Sequence, residues 1–131
     1  MNIERIKSDL TMKNLYFPEC YVRRECETAT ENLNVDISRK ILKKSENEYD
    51  VIVRVKIDKE EKDLEVSVLA KATFTINNLD AELAEEIIKS NTVAILFPFI
   101  RSQVSLLTTQ PGLSPVVLPP INTAKLALLS D

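Results

Sequence analysis

The first three-fifths of the chain alternate apolar and polar residues with the period of two that is typical of β-strands. The clearest run is Tyr49–Ile57, in which every second residue is apolar and only Ile52 interrupts the polar face. Three further runs predict strands over Lys13–Phe17, which Pro18 ends, over Leu33–Ile41 and over Leu64–Ile76. Four antiparallel strands in sequence order are the simplest arrangement of these segments.

In the remaining part of the chain the apolar residues recur with a period of about 3.6, which predicts helices. Asp80 is a suitable N-cap for a first helix that runs through Lys89. A second helix is predicted over Asn91–Thr109, and Pro98 marks either its true start or a bend. The run Gln110-Pro111-Gly112 then ends this helix.

Residues 113–121 form an apolar loop that has three prolines and no charge. Because surface loops are ordinarily polar, this loop must pack on something, either the core of its own domain or a bound partner. Asn122 then caps a short amphipathic helix that carries Leu126, Leu128 and Leu129. The pattern predicts one α+β domain over residues 1–131, with a four-stranded antiparallel sheet backed by a long helix and a short C-terminal helix.

The chain has 131 residues, of which 44% are hydrophobic and 28% charged, as is typical of a soluble globular protein of one domain. A formal net charge of -3 gives no general attraction for nucleic acid or for an anionic membrane. No apolar run approaches the roughly 20 residues that span a bilayer, and the N-terminal segment lacks the apolar core of a signal peptide. We therefore expect a cytoplasmic protein that does not insert into membranes.

The composition also argues against catalysis. The chain has no His, so it lacks both the side chain best suited to acid–base chemistry near neutral pH and the commonest metal ligand. Gly112 is the sole glycine, which excludes glycine-rich phosphate-binding loops. Cys20 and Cys26 do not form a CxxC motif and cannot supply four zinc ligands. We therefore predict two reduced structural cysteines, no enzyme activity, no cofactor and no metal.

Two groups of residues remain as candidates for binding. Three basic pairs occur among the strands, namely Arg23-Arg24, Arg39-Lys40 and Lys43-Lys44. They lack the aromatic pattern of RNA-binding proteins, so structural charge facing solvent is the better interpretation. Apolar residues on the outer faces of the strands, together with the proline-containing loop, are better candidates for a binding surface. The outer-face residues are Tyr16, Ile52 and Leu69.

Four segments occur in an order and at a spacing that resemble a known family. They are Tyr49–Val55, Phe74-Thr75-Ile76, Leu96-Phe97-Pro98-Phe99-Ile100-Arg101 and Leu118-Pro119-Pro120-Ile121-Asn122. Together they resemble the SecB protein-export chaperones, which carry a Phe-Pro-aromatic-x-Arg core in the long helix and a Leu-x-Pro-apolar-Asn entry to the last helix. The resemblance covers roughly residues 13–129.

The resemblance implies a holdase, a chaperone that binds unfolded polypeptide clients in apolar grooves without nucleotide or metal. It also implies a homo-oligomer, assembled as a dimer of dimers. The residues that it implies for the groove are Leu33, Val35, Leu113, Val116, Leu118 and Leu126. Those that it implies for the contact between subunits lie in the fourth predicted strand and are Val66, Val68 and Ala70.

The chain departs from the family pattern on the outer face of the sheet. SecB proteins that deliver clients to the SecA motor carry acidic residues there, whereas the matching positions hold Asn14, Pro18 and Ser67. The resemblance therefore does not imply contact with SecA. SecB-like chaperones also serve toxin–antitoxin pairs, so the alternative is a dedicated chaperone or interaction module for one partner, such as an antitoxin. A small-ligand or enzymatic domain is a third hypothesis, which the missing His and glycines disfavour.

Overall fold

The computed structural model describes residues 9–27, 32–77 and 80–119, which form four strands and one helix. The strands are β1 (Leu10–Arg24), β2 (Leu33–Ser45), β3 (Glu48–Lys59) and β4 (Leu64–Ile76), and the helix is α1 (Ala81–Thr108). The predicted four-stranded antiparallel sheet with a long helix is confirmed. The predicted C-terminal helix, with Leu126, lies outside the described residues.

The strands are not arranged in sequence order, because the sheet runs β1-β4-β3-β2. All neighbours are antiparallel, and short turns join β2 to β3 and β3 to β4. The prediction of sequential pairing was wrong because the alternation within a strand specifies its face and not its neighbour.

Strand β1 continues past Pro18, where the sequence predicted its end. Its pairing with β4 shifts register between Met12 and Leu15 and again between Tyr16 and Glu19. Residues at such irregularities stand outside the hydrogen-bonded ladder, so Pro18 is accommodated although it has no N–H to donate. Proline is also tolerated at sheet edges, and β1 is an edge strand. The strand predicted to end at Phe17 therefore runs on to Arg24.

The core lies between α1 and the side of the sheet that faces it. Every second residue of β3 and β4 faces the helix, and the side chains of these residues are buried, as the alternation predicts. These residues are Tyr49, Val51, Val53, Val55 and Ile57 in β3 and Leu64, Val66, Val68, Ala70, Ala72, Phe74 and Ile76 in β4. The helix packs over β4, β3 and β1, so the same side of β2 is less completely covered.

Helix α1 begins as predicted, because the Asp80 carboxylate accepts a hydrogen bond from the Leu83 N–H at 2.9 Å. It then runs without interruption to Thr108, so the prediction of two helices was wrong. At the predicted break, the Thr92 hydroxyl donates to the Ile88 carbonyl at 2.5 Å, which satisfies this polar side chain within the helix. Within the described residues no helix is long and apolar enough to cross a membrane.

Pro98 lies inside α1 and neither starts nor ends it. Its side chain is on the exposed side of the helix, whereas Leu96, Phe97 and Ile100 are buried against the sheet. Packing of the buried side on both flanks of Pro98 offsets the loss of one backbone hydrogen bond. The helix therefore continues through a residue that usually breaks one.

Candidate functional site

Strand β2 forms one edge of the sheet and carries a half-buried apolar stripe. Its members are Leu33, Val35, Ile37 and Ile41, which pack against the rim of the core and keep part of their surface exposed. The buried Arg39 lies on the same side of β2, between Ile37 and Ile41. The residues that occupy the same side of β3 are fully buried. We call these four residues the β2 stripe.

The backbone of β2 is paired on one side by β3, from Leu33 to Ser45. No strand of the described part of the chain lies on its other side. An edge strand presents N–H and C=O groups with which an extended polypeptide can pair. The β2 stripe and this edge therefore offer apolar contact and backbone pairing to the same segment.

Two residues that the resemblance implies for a client groove, Leu33 and Val35, lie in the β2 stripe. Ile37 and Ile41 belong with them, although the sequence reasoning left them out of the groove. The period of two along Leu33–Ile41 already indicates that all four share one side of the strand. The surface is thus longer than the resemblance alone implied.

The proline-containing loop packs on the core of its own chain. Val116 and Leu118 are fully buried, Leu113 is half-buried, and Val117 is 56% exposed. Val116 and Leu118 are thus covered by their own chain, which agrees with the other possibility that the sequence left open. Their role as walls of a client groove stays a prediction.

Two hydroxyl groups of α1 fix this loop in place. The Val116 N–H donates to the Oγ1 of Thr108 at 2.8 Å, and the Ser105 Oγ donates to the Val116 carbonyl at 3.0 Å. Both backbone groups of a buried residue are thus satisfied by side chains of the last helical turns. These two hydrogen bonds fix the loop to α1 at Val116.

Arg24, at the end of β1, holds four carbonyl groups together. Its Nε and Nη2 donate to the carbonyls of Cys26 and Glu27, each at 3.0 Å. Its Nη1 donates to the carbonyls of Thr108 and Ser114, both at 2.7 Å. One guanidinium therefore connects the start of the β1–β2 connection, the end of α1 and the proline-containing loop, and its charge is favourable at a helix C-terminus.

The other basic residues divide into buried and exposed groups. Arg39 is only 6% exposed, and its Nη1 donates to the carbonyl of Lys89 in α1 at 2.7 Å. Lys40, Lys43 and Lys44 are exposed on β2. Arg24 and Arg39 thus have structural roles, as the sequence indicated, but they are directed at backbone carbonyls rather than at solvent.

The residues implied for the subunit contact also lie in the core. Val66, Val68 and Ala70 face α1, and none of them is more than 2% exposed. Their small size fits the close packing of the helix on β4, so they cannot offer surface to a second subunit in this conformation. A single chain does not test oligomerisation itself, which stays a prediction that requires a different surface.

The outer side of α1 carries three large exposed apolar residues. Ile95, Phe99 and Leu106 lie along one line of the helix, and Leu106 is 71% exposed. Beside them, the last turns of α1 and the loop enclose an open groove of about 490 Å³. Its lining is Pro98, Arg101, Ser102, Ser105, Leu106, Thr109 and Val117. The loop therefore does border a groove, but through Val117 rather than through Val116 or Leu118.

The outer face of the sheet is less apolar than the sequence suggested. The three residues predicted for a patch there do lie opposite α1, namely Tyr16, Ile52 and Leu69. Lys71 lies between Tyr16 and Ile52, and Arg54 lies beside Leu69. The Nη1 of Arg54 donates to the Ser67 Oγ at 2.9 Å, and its Nη2 is 3.6 Å from the Glu19 carboxylate. Charged groups thus interrupt the patch, which weakens it as a binding surface.

The described residues hold no arrangement typical of a metal centre. Within 9–27, 32–77 and 80–119, no group of three or more His, Cys, Asp or Glu side chains could coordinate an ion. Cys20 is exposed, Cys26 is buried, and both are free thiols. The β2 stripe and the edge of β2 can make non-covalent contact with apolar and extended chains.

Comparisons with known proteins agree with this architecture. A chaperone-like protein of Mycobacterium tuberculosis, solved as a SecB-like chaperone in complex with a peptide of the HigA1 antitoxin, superposes with a TM-score of 0.64 at 15% identity. The match covers 90% of this chain and 95% of that one. The likeness shows that the two chains share a fold.

Relatives in sequence are found in archaea and bacteria. An uncharacterised protein of Methanocaldococcus jannaschii is 28% identical over 121 residues, covering 89% of this chain and 78% of the relative. The protein-export protein SecB of Methylobacillus flagellatus is 26% identical over 117 residues, covering 87% and 72%. The family model described as "Preprotein translocase subunit SecB" matches residues 3–128. With nearly the whole chain matched, and with the sheet and helix arranged as described, this protein belongs to the SecB family.

Proposed function

We propose that this protein is a holdase, which keeps non-native polypeptides from aggregating by binding them along β2. The observation that carries the proposal is the β2 stripe on an unpaired sheet edge within the described residues. An extended client segment can extend the sheet with its backbone and place alternate side chains on Leu33, Val35, Ile37 and Ile41. The mechanism needs no nucleotide, no metal and no catalytic group.

The energetics of such a surface suit a chaperone with broad selectivity. Burial of apolar surface contributes about 25 cal/mol per Å², and ordering of the client offsets part of that gain. Each half-buried residue of the stripe offers only part of its surface, so a single contact is weak. Several contacts along one client add avidity while any one of them can be exchanged for another.

A dedicated client is the second candidate function. The SecB-like chaperone of Mycobacterium tuberculosis was solved with a peptide of an antitoxin, and its chain shares the fold described above. A holdase of the same architecture can therefore serve one antitoxin rather than many exported proteins. Purification from the native host separates the two: one dominant partner supports the dedicated role, and a mixture of nascent chains supports the general one.

The proposal includes a cytoplasmic homo-oligomer, a dimer of dimers, whose contact uses the outer side of α1. Ile95, Phe99 and Leu106 are large, apolar and exposed, as is expected of side chains that a second copy covers. SecA is not included among the partners. The positions that correspond to acidic residues in exporting relatives hold Asn14, Pro18 and Ser67. The hydroxyl of Ser67 accepts a hydrogen bond from Arg54.

The test of the proposed function compares two faces of the same strand. In the variant Val35→Ser/Ile37→Ser the β2 stripe loses two apolar side chains, and we expect client affinity to fall about tenfold. The control, Leu42→Ser, removes an exposed apolar residue from the opposite face of β2 and should leave affinity unchanged. Suppression of aggregation of a slowly folding client is the measurement, and melting temperatures verify folding. A wild-type protein without effect at several-fold molar excess would refute the holdase.

A further inference from the structure

A small cavity lies between the end of β2 and the first turns of α1. Its volume is about 150 Å³, and its lining consists of Ile41, Lys43, Tyr49, Glu85, Ile88 and Lys89. We call it the Tyr49 pocket. Ile41 also belongs to the β2 stripe, so the pocket continues the proposed client surface. Tyr49 and Ile88 are buried whereas the three charged residues are exposed, which gives an apolar interior and a charged rim.

The hydroxyl of Tyr49 is the feature that points to a ligand. Tyr49 is 2% exposed, and its buried hydroxyl has no hydrogen-bond partner among the described residues. Buried phenol hydroxyls usually have a partner, because an unpaired donor in the interior loses the hydrogen bond that it made with water. A polar group that enters the pocket can supply this partner.

The charges around the pocket decide which polar group fits. Lys43 and Lys89 contribute two ammonium groups and Glu85 one carboxylate, and none of the three forms an ion pair within the described part of the chain. Donors and positive charge thus exceed acceptors, an excess that favours an anionic group.

We propose that the Tyr49 pocket binds the carboxylate side chain of a client segment that lies along β2. The aliphatic part of a client Glu or Asp packs on Ile41 and Ile88. Its carboxylate accepts hydrogen bonds from the Tyr49 hydroxyl and from the ammonium groups of Lys43 and Lys89. This inference rests on the proposed function and adds selectivity to it: among equally apolar segments, those with a suitably placed acidic residue bind tightest.

The overall charge of the protein makes this selectivity informative. With a net charge of -3, the chain as a whole repels acidic segments slightly. A preference for them must therefore arise locally, from groups within a Debye length of about 8 Å at physiological ionic strength. The preference should also weaken as salt is added, whereas the apolar contribution should not.

The experiment uses two labelled apolar peptides that differ only in a central Glu or Gln, titrated with the full chain and followed by fluorescence anisotropy. We expect the Glu peptide to bind about fivefold tighter than the Gln peptide, as a charge-assisted hydrogen bond implies. Lys43→Met and Tyr49→Phe should each reduce this ratio towards one, because each variant weakens the Glu peptide more than the Gln peptide. Lys40→Met, which removes an exposed ammonium group from the opposite face of β2, is the matched control and should keep the ratio.

The possible outcomes separate this inference from the function on which it rests. Equal binding of the two peptides to the wild-type protein overturns the carboxylate pocket and leaves the holdase standing. Absence of binding for both peptides overturns the holdase itself. If the ratio of the affinities for the Glu and Gln peptides is unchanged in Lys43→Met, the preference arises outside this pocket and the inference is wrong. Because Lys43 is exposed, we expect Lys43→Met to fold even if Tyr49→Phe loses stability.

Discussion

The buried hydroxyl of Thr108, in the last turn of α1, accepts a hydrogen bond from the backbone N–H of Val116 at 2.8 Å. The same oxygen donates to the carbonyl of Val104, also at 2.8 Å, so it satisfies a helix and a loop at once. Because the loop is anchored at this point, its alternate apolar side chains are directed into the core.

Replacing Thr108 by Val tests this anchor. Thr108→Val keeps the shape of the side chain but leaves the Val116 N–H buried without an acceptor, so we expect the free energy of unfolding to fall by about 1–3 kcal/mol. Urea denaturation measures the loss. Thr11→Val, at an exposed position of β1, is the control and should change stability by less than about 0.5 kcal/mol. Equal losses in the two variants would contradict the anchoring role.

The sequence predicted correctly which face of each strand is buried, but it did not predict which strands lie next to each other in the sheet. The period of two placed Val53 and Val68 on the buried side of their strands, where both lie. It could not indicate that β1 pairs with β4, since each strand alternates in the same way whichever strand lies beside it. The sequence also predicted a break after Lys89, because polar residues follow it. The helix continues there because such side chains form hydrogen bonds within it, as the Thr92 hydroxyl does with the Ile88 carbonyl.

The functional residues were harder to predict for a related reason. An apolar loop has the same composition whether it packs on its own core or on a client. Its position is decided by polar partners that lie far away in the sequence, above all Arg24 and Thr108. Likewise, the residue type of Tyr49 does not indicate that its hydroxyl is unpaired, because that depends on which helix covers it.

Arg24 should contribute more to stability than its neighbour Arg23. Arg24→Lys replaces a planar group that reaches four carbonyls by a single ammonium, and we expect a loss of about 2–3 kcal/mol in the free energy of unfolding. Arg23 is exposed and pairs with the exposed Glu25, so Arg23→Lys should cost less than about 1 kcal/mol. Thermal denaturation of both variants is the measurement, and the reverse ranking would show that Arg24 does not connect the loop to β1.

Truncation of two adjacent loop residues should change the stability of the protein by very different amounts. Leu118→Ala creates a cavity in the core and should lower the free energy of unfolding by about 2–5 kcal/mol. Val117→Ala affects an exposed side chain and should change it by less than about 0.5 kcal/mol. If Leu118→Ala instead weakened client binding while the protein kept its full stability, the loop would be a groove wall after all.

The outer side of α1 should control assembly. Leu106→Asp introduces a charge where the proposed contact between subunits is apolar, so light scattering should show smaller particles that remain folded. Leu42→Asp, at an exposed position on the outer face of the sheet, should leave the particle size unchanged. A wild-type protein that is monomeric at micromolar concentration would contradict the proposed oligomer.

The pairing of β1 with β4 has a consequence for how the chain acquires its structure during synthesis. Strands β2, β3 and β4 can form hairpins as soon as they leave the ribosome, because their partners are close in sequence. Strand β1 emerges first, yet Arg24 pairs with Leu64 and Leu10 with Ile76, so it must wait until β4 has been made. The loop docks later still, since its anchor Thr108 ends the helix that follows β4. During that interval the nascent chain exposes an unpaired apolar strand, the very kind of segment that its finished form is proposed to capture.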